Sequence, residues 1–233
     1  MALQLVIGNK NYSSWSMRPW VLMKQLGLPF EERRLRLDFD QPDSAFRREL
    51  AALGAAGRVP VLLDEGFAVW DSLAIVEALH ERFPAAGVWP QAARARARAR
   101  SLCAEMHSGF TPLRSHCGMN IEATLPEVGA RIWAEQEAVR ADVARLQAMW
   151  SAALADSGGP FLFGAFSAAD AFYAPVCMRL LTYALPISAE ARAYVERVRT
   201  APGVAAWIDE ALQEHDWIAI DEPYRQRPAA GAR

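Results

Sequence analysis

Residues 59–83, VPVLLDEGFAVWDSLAIVEALHERF, contain two short apolar runs, a turn and an amphipathic helix signal in one unbroken stretch. The runs VPVLLDE and FAVW are compatible with strands, and the Glu65–Gly66 step between them predicts a hairpin. In DSLAIVEALHERF the side chains of Leu73, Val76, Leu79 and Phe83 recur at helical spacing, with Asp71 and Ser72 available as caps. An antiparallel strand pair followed directly by a helix is therefore the expected end of the first half of the chain.

Upstream, ALQLVI (2–7) reads as a strand, and Gly8 to Ser14 as a loop. RPWVLMKQLG (18–27) reads as a helix with Pro19 in its opening turn, Leu22 and Leu26 toward the core, and Gly27 as its stop. FEERRLRL (30–37) alternates as an exposed strand, and DSAFRRELAALG (43–54) follows as a helix capped by Asp43 or Ser44. The order β-α-β-α-β-β-α joins one parallel crossover to one hairpin, so the predicted sheet is mixed.

Downstream, PAAGVWPQ (84–91) carries two prolines and a glycine, after which the pattern is helical to about residue 215. ARARARARSLCAEMHSGFTPLRSHC (93–117) and PEVGARIWAEQEAVRADVARLQAMWSAALADS (126–157) each read as one long helix, and three more complete an all-helical bundle. The expected division is 1–83, a linker at 84–91, 92–216, and a tail at 217–233 whose final RQRPAAGAR reads as disordered.

The totals narrow the function. With 52% hydrophobic residues and a formal charge of −2, the 233-residue chain has ample core and no global attraction to nucleic acid or anionic membranes. Alternating arginines in ARARARAR fan around a helix instead of forming a stripe, which argues against a nucleic-acid surface. Cys103, Cys117 and Cys177 are odd in number and lack C-x-x-C spacing, so neither disulfides nor a zinc site is expected. Without a signal-peptide pattern or an apolar run of spanning length, the expectation is a cytoplasmic protein acting on small molecules.

Three features occur in order: NYSSWSMRPW (11–20), RVPVL (58–62) and WDSLAI (70–75). Together they resemble the glutathione transferase superfamily over nearly the whole chain. The resemblance implies a thioredoxin-like N-terminal domain with a mixed sheet, an all-α C-terminal domain, glutathione as co-substrate, no metal, an electrophilic small molecule as second substrate, and a homodimer. It further implies that Pro60 is cis and Val59 offers its backbone to the tripeptide, and that Asp71 and Ser72 receive its γ-glutamyl end. Ser72 suits the carboxylate and Asp71 the ammonium, although the family more often carries Glu or Gln before the serine.

SSWS followed by Arg18 is similar to the SSCS-arginine pattern of zeta-class members, with Trp15 in place of the cysteine. That pattern nominates Ser13 as the hydroxyl that activates the thiol, with Ser14 next and Tyr12 as the choice of other classes. Without a cysteine at this helix start, a protein thiol is not available for dithiol exchange, and the tripeptide supplies the sulfur. Cys103, His107, Phe110 and Arg114 follow i, i+4, i+7, i+11, which on a continuous helix is one face; His107, Phe110 and Arg114 are the candidates for a second-substrate pocket, extended by Met119 and Asn120. Ser167 and Asp170 form an Asp variant of the capping box, with a folding role.

Overall fold

The computed structural model describes residues 3–39 and 41–227. Strand β1 (Leu3–Ile7) runs through the middle of a four-stranded sheet of order β2-β1-β3-β4, with Leu5, Val6 and Ile7 fully buried. It pairs in parallel with β2 (Phe30–Arg34) and antiparallel with β3 (Val61–Asp64), setting Leu5 opposite both Glu32 and Leu62. The strand β4 (Phe67–Trp70) closes the hairpin, Leu62 facing Val69. Glu65 and Gly66 both take positive φ, 51° and 87°, the geometry of the tight turn that matches strand twist. The expected mixed sheet is present.

Helix α1 (Ser14–Gln25) follows β1, and α2 (Ala45–Ala52) carries the chain from β2 toward β3. Ser44 caps α2 by accepting from the Arg47 amide. Pro19 is the sixth residue of α1 and not part of its first turn, so it removes an N–H from the interior of the helix. Of the two leucines expected toward the core, Leu22 is fully buried and Leu26 lies at its edge.

The remaining helices are α3 (Ser72–Arg82), α4 (Ala93–Ser108), α5 (Thr111–His116), α6 (Pro126–Glu135), α7 (Glu137–Ser157), α8 (Ala168–Thr182), α9 (Ala189–Thr200) and α10 (Pro202–Glu214). Both long helices expected in this half are interrupted. Gly109 is extended and Phe110 left-handed (φ 56°), which separates α4 from α5; at Gln136 the backbone is again extended, which separates α6 from α7. Arg140 compensates the second break by donating to the carbonyls of Trp133 and Ala134.

Helix α8 is buried along almost its whole length and packs against α1. Its start is held by the expected box: the Asp170 carboxylate accepts from the Ser167 amide at 3.0 Å, and also from the Leu162 amide and the Tyr194 hydroxyl. Burial nevertheless pushes the Asp170 carboxyl up to about 6. One apolar cluster runs from Leu5 and Trp20 to Trp150 and Trp207, joining the sheet side to the bundle.

Beyond α10 the chain returns over the start of α1. Ile218 is buried, residues 219–221 form a 3-10 turn, and Tyr224 donates to the His116 carbonyl. The expected disorder of 225–233 fails at its first residue, since Arg225 pairs with Glu222 and Glu122; residues 228–233 lie outside the described residues. No helix among the described residues is long and apolar enough to cross a membrane.

Candidate functional site

The loop between β1 and α1 is fixed before it reaches solvent. Buried Lys10 pairs with Glu32 at 2.6 Å and with Glu210, and sits 4.5 Å over the Trp20 ring. Trp207 donates to the Lys10 carbonyl, and the Asn9 side chain spans the Leu37 amide and Asp216. These bonds tie strand, bundle and C-terminal segment to one short loop, which delivers Tyr12, Ser13 and Ser14 to a rigid position.

Around that position lie two adjoining clefts of about 430 and 370 Å³ that share Trp15, Arg58, Val59 and Arg114. The first is completed by Pro60, Trp70, Asp71, Ser72 and His107. The second is completed by Tyr12, Ser13, Ser14, Phe39, Phe46, Met119, Arg179 and Asp221. A larger hollow of about 590 Å³ between α4 and α7 contains none of the residues singled out as site candidates in the sequence.

Each hydroxyl at the head of α1 has a different partner. Tyr12 donates to the Glu222 carboxylate at 2.7 Å; burial first, and that hydrogen bond second, raise its ionisation well above the usual phenol range. Ser13 donates to the Ser16 hydroxyl at 2.7 Å, and Ser16 also accepts from the Gly8 amide. Ser14 accepts from Arg179 Nη2 at 3.1 Å.

The Val59–Pro60 bond is cis and precedes β3, as the resemblance implies. Asp71 caps α3: its Oδ1 accepts from the Leu73 amide at 2.8 Å, while Oδ2 lies 3.2 Å from His107 Nε2. The buried Ser72 hydroxyl accepts a long 3.4 Å hydrogen bond from Arg18 Nη1. Two guanidiniums approach the Trp15 ring, Arg18 at 4.2 Å and Arg114 at 4.8 Å, and it meets the His107 ring edge-on at 5.1 Å.

Electrostatically the site is cationic. Burial lowers Arg18 to about 9 and Arg179 to about 10, with Arg114 opposing the charge on each; both remain protonated at neutral pH. Among the described residues none of Arg18, Arg114 and Arg179 has a carboxylate within ion-pair distance. Burial also lowers His107; Asp71 pulls it back up, and Arg18 and Arg114 push it down. Asp221, raised to about 6 by burial and by Glu222, is the acidic group in the second cleft.

The structure brings Ser13, Ser14, Val59, Pro60, Asp71, Ser72, His107 and Arg114 to these clefts. It does not bring Phe110, which is buried in the core because the left-handed turn at its own position breaks the helix whose face it was to share; Cys103 is likewise a core residue. Met119 lines the second cleft, whereas Asn120 turns inward and donates to Glu222. Sequence reasoning missed Arg179 and Asp221. Arg179 carried a signal, as a charged residue in the apolar run YAPVCMRLLTY; Asp221 carried none.

Two family profiles match the chain, described as glutathione S-transferase N-terminal domain over residues 12–82, which includes Ser13, Ser14, Val59, Pro60, Asp71 and Ser72, and glutathione S-transferase C-terminal domain over residues 133–210, which includes Arg179. The chain belongs to the glutathione S-transferase family. A glutathione transferase homolog from Burkholderia gl BGR1, solved with bound glutathione, is 27% identical and superposes with a TM-score of 0.67, covering 91% of this chain and 98% of that one. A sphingomonad glutathione S-transferase complexed with glutathione has the same fold at 21% identity, with a TM-score of 0.63 and coverage of 89% and 98%. A dichloromethane dehalogenase from Methylorubrum extorquens is 34% identical over 67 residues; this stretch is 29% of the chain and spans only 23% of the length of that relative. Among the described residues of this family member, no group of three or more His, Cys, Asp or Glu side chains is placed to hold a metal ion, and the three cysteines are buried and free.

Proposed function

We propose that the chain binds glutathione in the cleft beside Val59, Pro60, Asp71 and Ser72, holds its sulfur as a thiolate with a serine hydroxyl at the head of α1, and transfers it to an electrophilic small molecule in the adjoining cleft. The observation that carries the reading is the meeting of three sequence-distant elements, Ser13–Ser14, the cis Val59–Pro60 bond and Asp71–Ser72, around two joined clefts. Glutathione bound to the 27% identical homolog supports the co-substrate, and the partial match to a dehalogenase supports displacement at a carbon bearing a halide. In such a step the thiol proton leaves to water, the carbon–sulfur bond forms, and the leaving group departs with the electron pair of the bond that breaks. Positioning and anion stabilisation supply the acceleration.

The Ser72 hydroxyl and the amides opening α3 suit the γ-glutamyl carboxylate, with Arg18 behind them. Asp71 is shared between its capping bond and His107, so an ammonium group would compete with His107 for Oδ2. Arg114, facing both clefts without an acidic partner among the described residues, favours an electrophile that carries a carboxylate; addition of the thiolate across a double bond, rotation and elimination would make the same site a cis–trans isomerase. The reading includes a cytoplasmic homodimer divided at 84–91, without metal, nucleic-acid or membrane partners. Calorimetric titration with glutathione, followed by a panel of halogenated aromatics, haloacids, peroxides and maleyl compounds, tests it. A well-folded protein that binds no glutathione refutes it and favours a non-catalytic module of the same fold.

A further inference from the structure

We propose that Ser14 is the hydroxyl that faces the glutathione sulfur, and that Arg179, reaching from α8 to the head of α1, is the positioning residue that aims this hydroxyl and supplies the charge opposite the thiolate. The inference rests on the glutathione reading above and departs from the sequence pattern, which favours Ser13.

A hydroxyl has one hydrogen to give and two lone pairs to receive with. Tyr12 gives its hydrogen to Glu222, and the Ser13 hydroxyl is engaged with that of Ser16 at 2.7 Å. Ser14 is placed the other way. Arg179 Nη2 donates to its oxygen at 3.1 Å, so its hydrogen points away from the guanidinium and has no acceptor among the described residues. Ser14 is half-buried and lines the second cleft together with Arg179. A guanidinium on the oxygen side polarises the O–H bond and strengthens donation to an anion on the hydrogen side.

Among the described residues Arg179 has neutral acceptors alone. Its Nη1 donates to the carbonyls of Arg114 and Cys117, and the residue is 6% exposed. A buried cation without a carboxylate partner is costly, and that cost is relieved by an anion arriving beside it. The groups around it are Arg114 from α5, which opposes its charge, Cys117 after α5, Tyr183 at the end of α8, and Asp221 from the C-terminal segment, which favours it. Arg18 of α1 bears on the same region through Trp15, and Glu222 is engaged with Tyr12, Asn120 and Arg225. Arg179 therefore presents a net positive field to Ser14, offset in part by Asp221 once that carboxyl ionises above about pH 6.

The test is the apparent pKa of the bound thiol, read from thiolate absorbance at saturating glutathione, in the wild type and in Ser14→Ala, Ser13→Ala, Tyr12→Phe, Arg179→Gln, Arg179→Lys and Asp221→Asn. Ser14→Ala and Arg179→Gln are each expected to weaken thiol ionisation about tenfold, close to one pKa unit, and the double variant to lose less than the sum of the two, because they share one hydrogen bond while Arg179 also acts through its charge. Arg179→Lys should recover part of the loss, a recovery that a purely structural role would not track. Asp221→Asn should move the thiol pKa down, and Ser13→Ala and Tyr12→Phe should raise it less than Ser14→Ala. If Arg179→Gln does not fold, Ser14→Ala, Arg179→Lys and Asp221→Asn decide. A Ser13→Ala or Tyr12→Phe effect as large as that of Ser14→Ala, or additive losses at Ser14 and Arg179, overturns the inference. A wild type that binds glutathione with a lowered thiol pKa unaffected by Ser14→Ala overturns this inference alone, whereas a wild type that binds none overturns the glutathione reading beneath it.

Discussion

Asp71 Oδ2 lies 3.2 Å from His107 Nε2, joining the cap of α3 to the last turn of α4 at the wall of the first cleft. The carboxylate thus has a structural task through Oδ1 and an electrostatic one through Oδ2. Asp71→Asn separates them, because asparagine caps helices as well as aspartate does. Melting temperature should stay within about 2 °C, while glutathione affinity falls about tenfold through the lost charge facing the ammonium. His107, which Asp71 holds up, should titrate at a still lower pH by NMR. Unchanged affinity removes Asp71 from the binding role.

Ser72→Ala tests the other half of the γ-glutamyl site. Loss of a hydrogen bond to a charged carboxylate is worth about 1.5–3 kcal/mol, or roughly ten- to a hundredfold in the dissociation constant. Among the described residues the Ser72 side chain accepts only from Arg18, at 3.4 Å, and Asp71 supplies the helix cap, so stability should change little. A lowered melting temperature at normal affinity would make Ser72 a structural residue.

Much of the fold was legible because the sheet half obeys local rules. Strand alternation, the Glu65–Gly66 turn, and caps at Ser44 and Asp71 all agree with the tertiary structure. The failures lie where helical periodicity runs across a break. Gly109 and Pro112 punctuate the chain around Phe110, yet the i, i+7, i+11 spacing persists through them, so Phe110 was placed on a face it does not share with His107. The break at Gln136 has no glycine or proline and depends on Arg140 folding back onto the freed carbonyls. Motif order points to Ser13, Ser14, Val59, Pro60, Asp71 and Ser72 as the lining of the two clefts, but Arg179 and Asp221 reach the second cleft from segments more than 160 residues beyond Ser14, which no local pattern encodes.

Arg114 should discriminate among electrophiles by charge. Arg114→Leu is expected to raise KM for a carboxylate-bearing electrophile about tenfold while leaving KM for its neutral methyl ester within about twofold, since a charge-assisted bond is lost only with the acid. Equal effects on the acid and the ester would assign Arg114 to packing against Trp15.

Asp170 links folding to pH. Its folded carboxyl titrates at about 6 against an ordinary 3.8, so the folded state holds the proton more tightly than the unfolded one. Its contribution to stability is fully present below about pH 4 and declines as pH rises through about 6. Asp170→Ala, which strands the Leu162 and Ser167 amides and the Tyr194 hydroxyl, should cost about 3 kcal/mol or more, and the gap between wild type and variant should narrow from pH 4 to pH 7 in denaturant titrations. A gap that widens over that range contradicts the assignment.

The most direct test of the central claim is a pH titration of thiolate absorbance in the wild-type protein saturated with glutathione. A free thiol ionises near 8.5, and a serine hydroxyl backed by a buried guanidinium should bring the bound sulfur about one to two units lower, so that thiolate persists at neutral pH. Saturable binding with that shift is the predicted result. Absence of binding, or a bound thiol that still titrates near 8.5, would contradict the claim that this cleft holds glutathione as its thiolate.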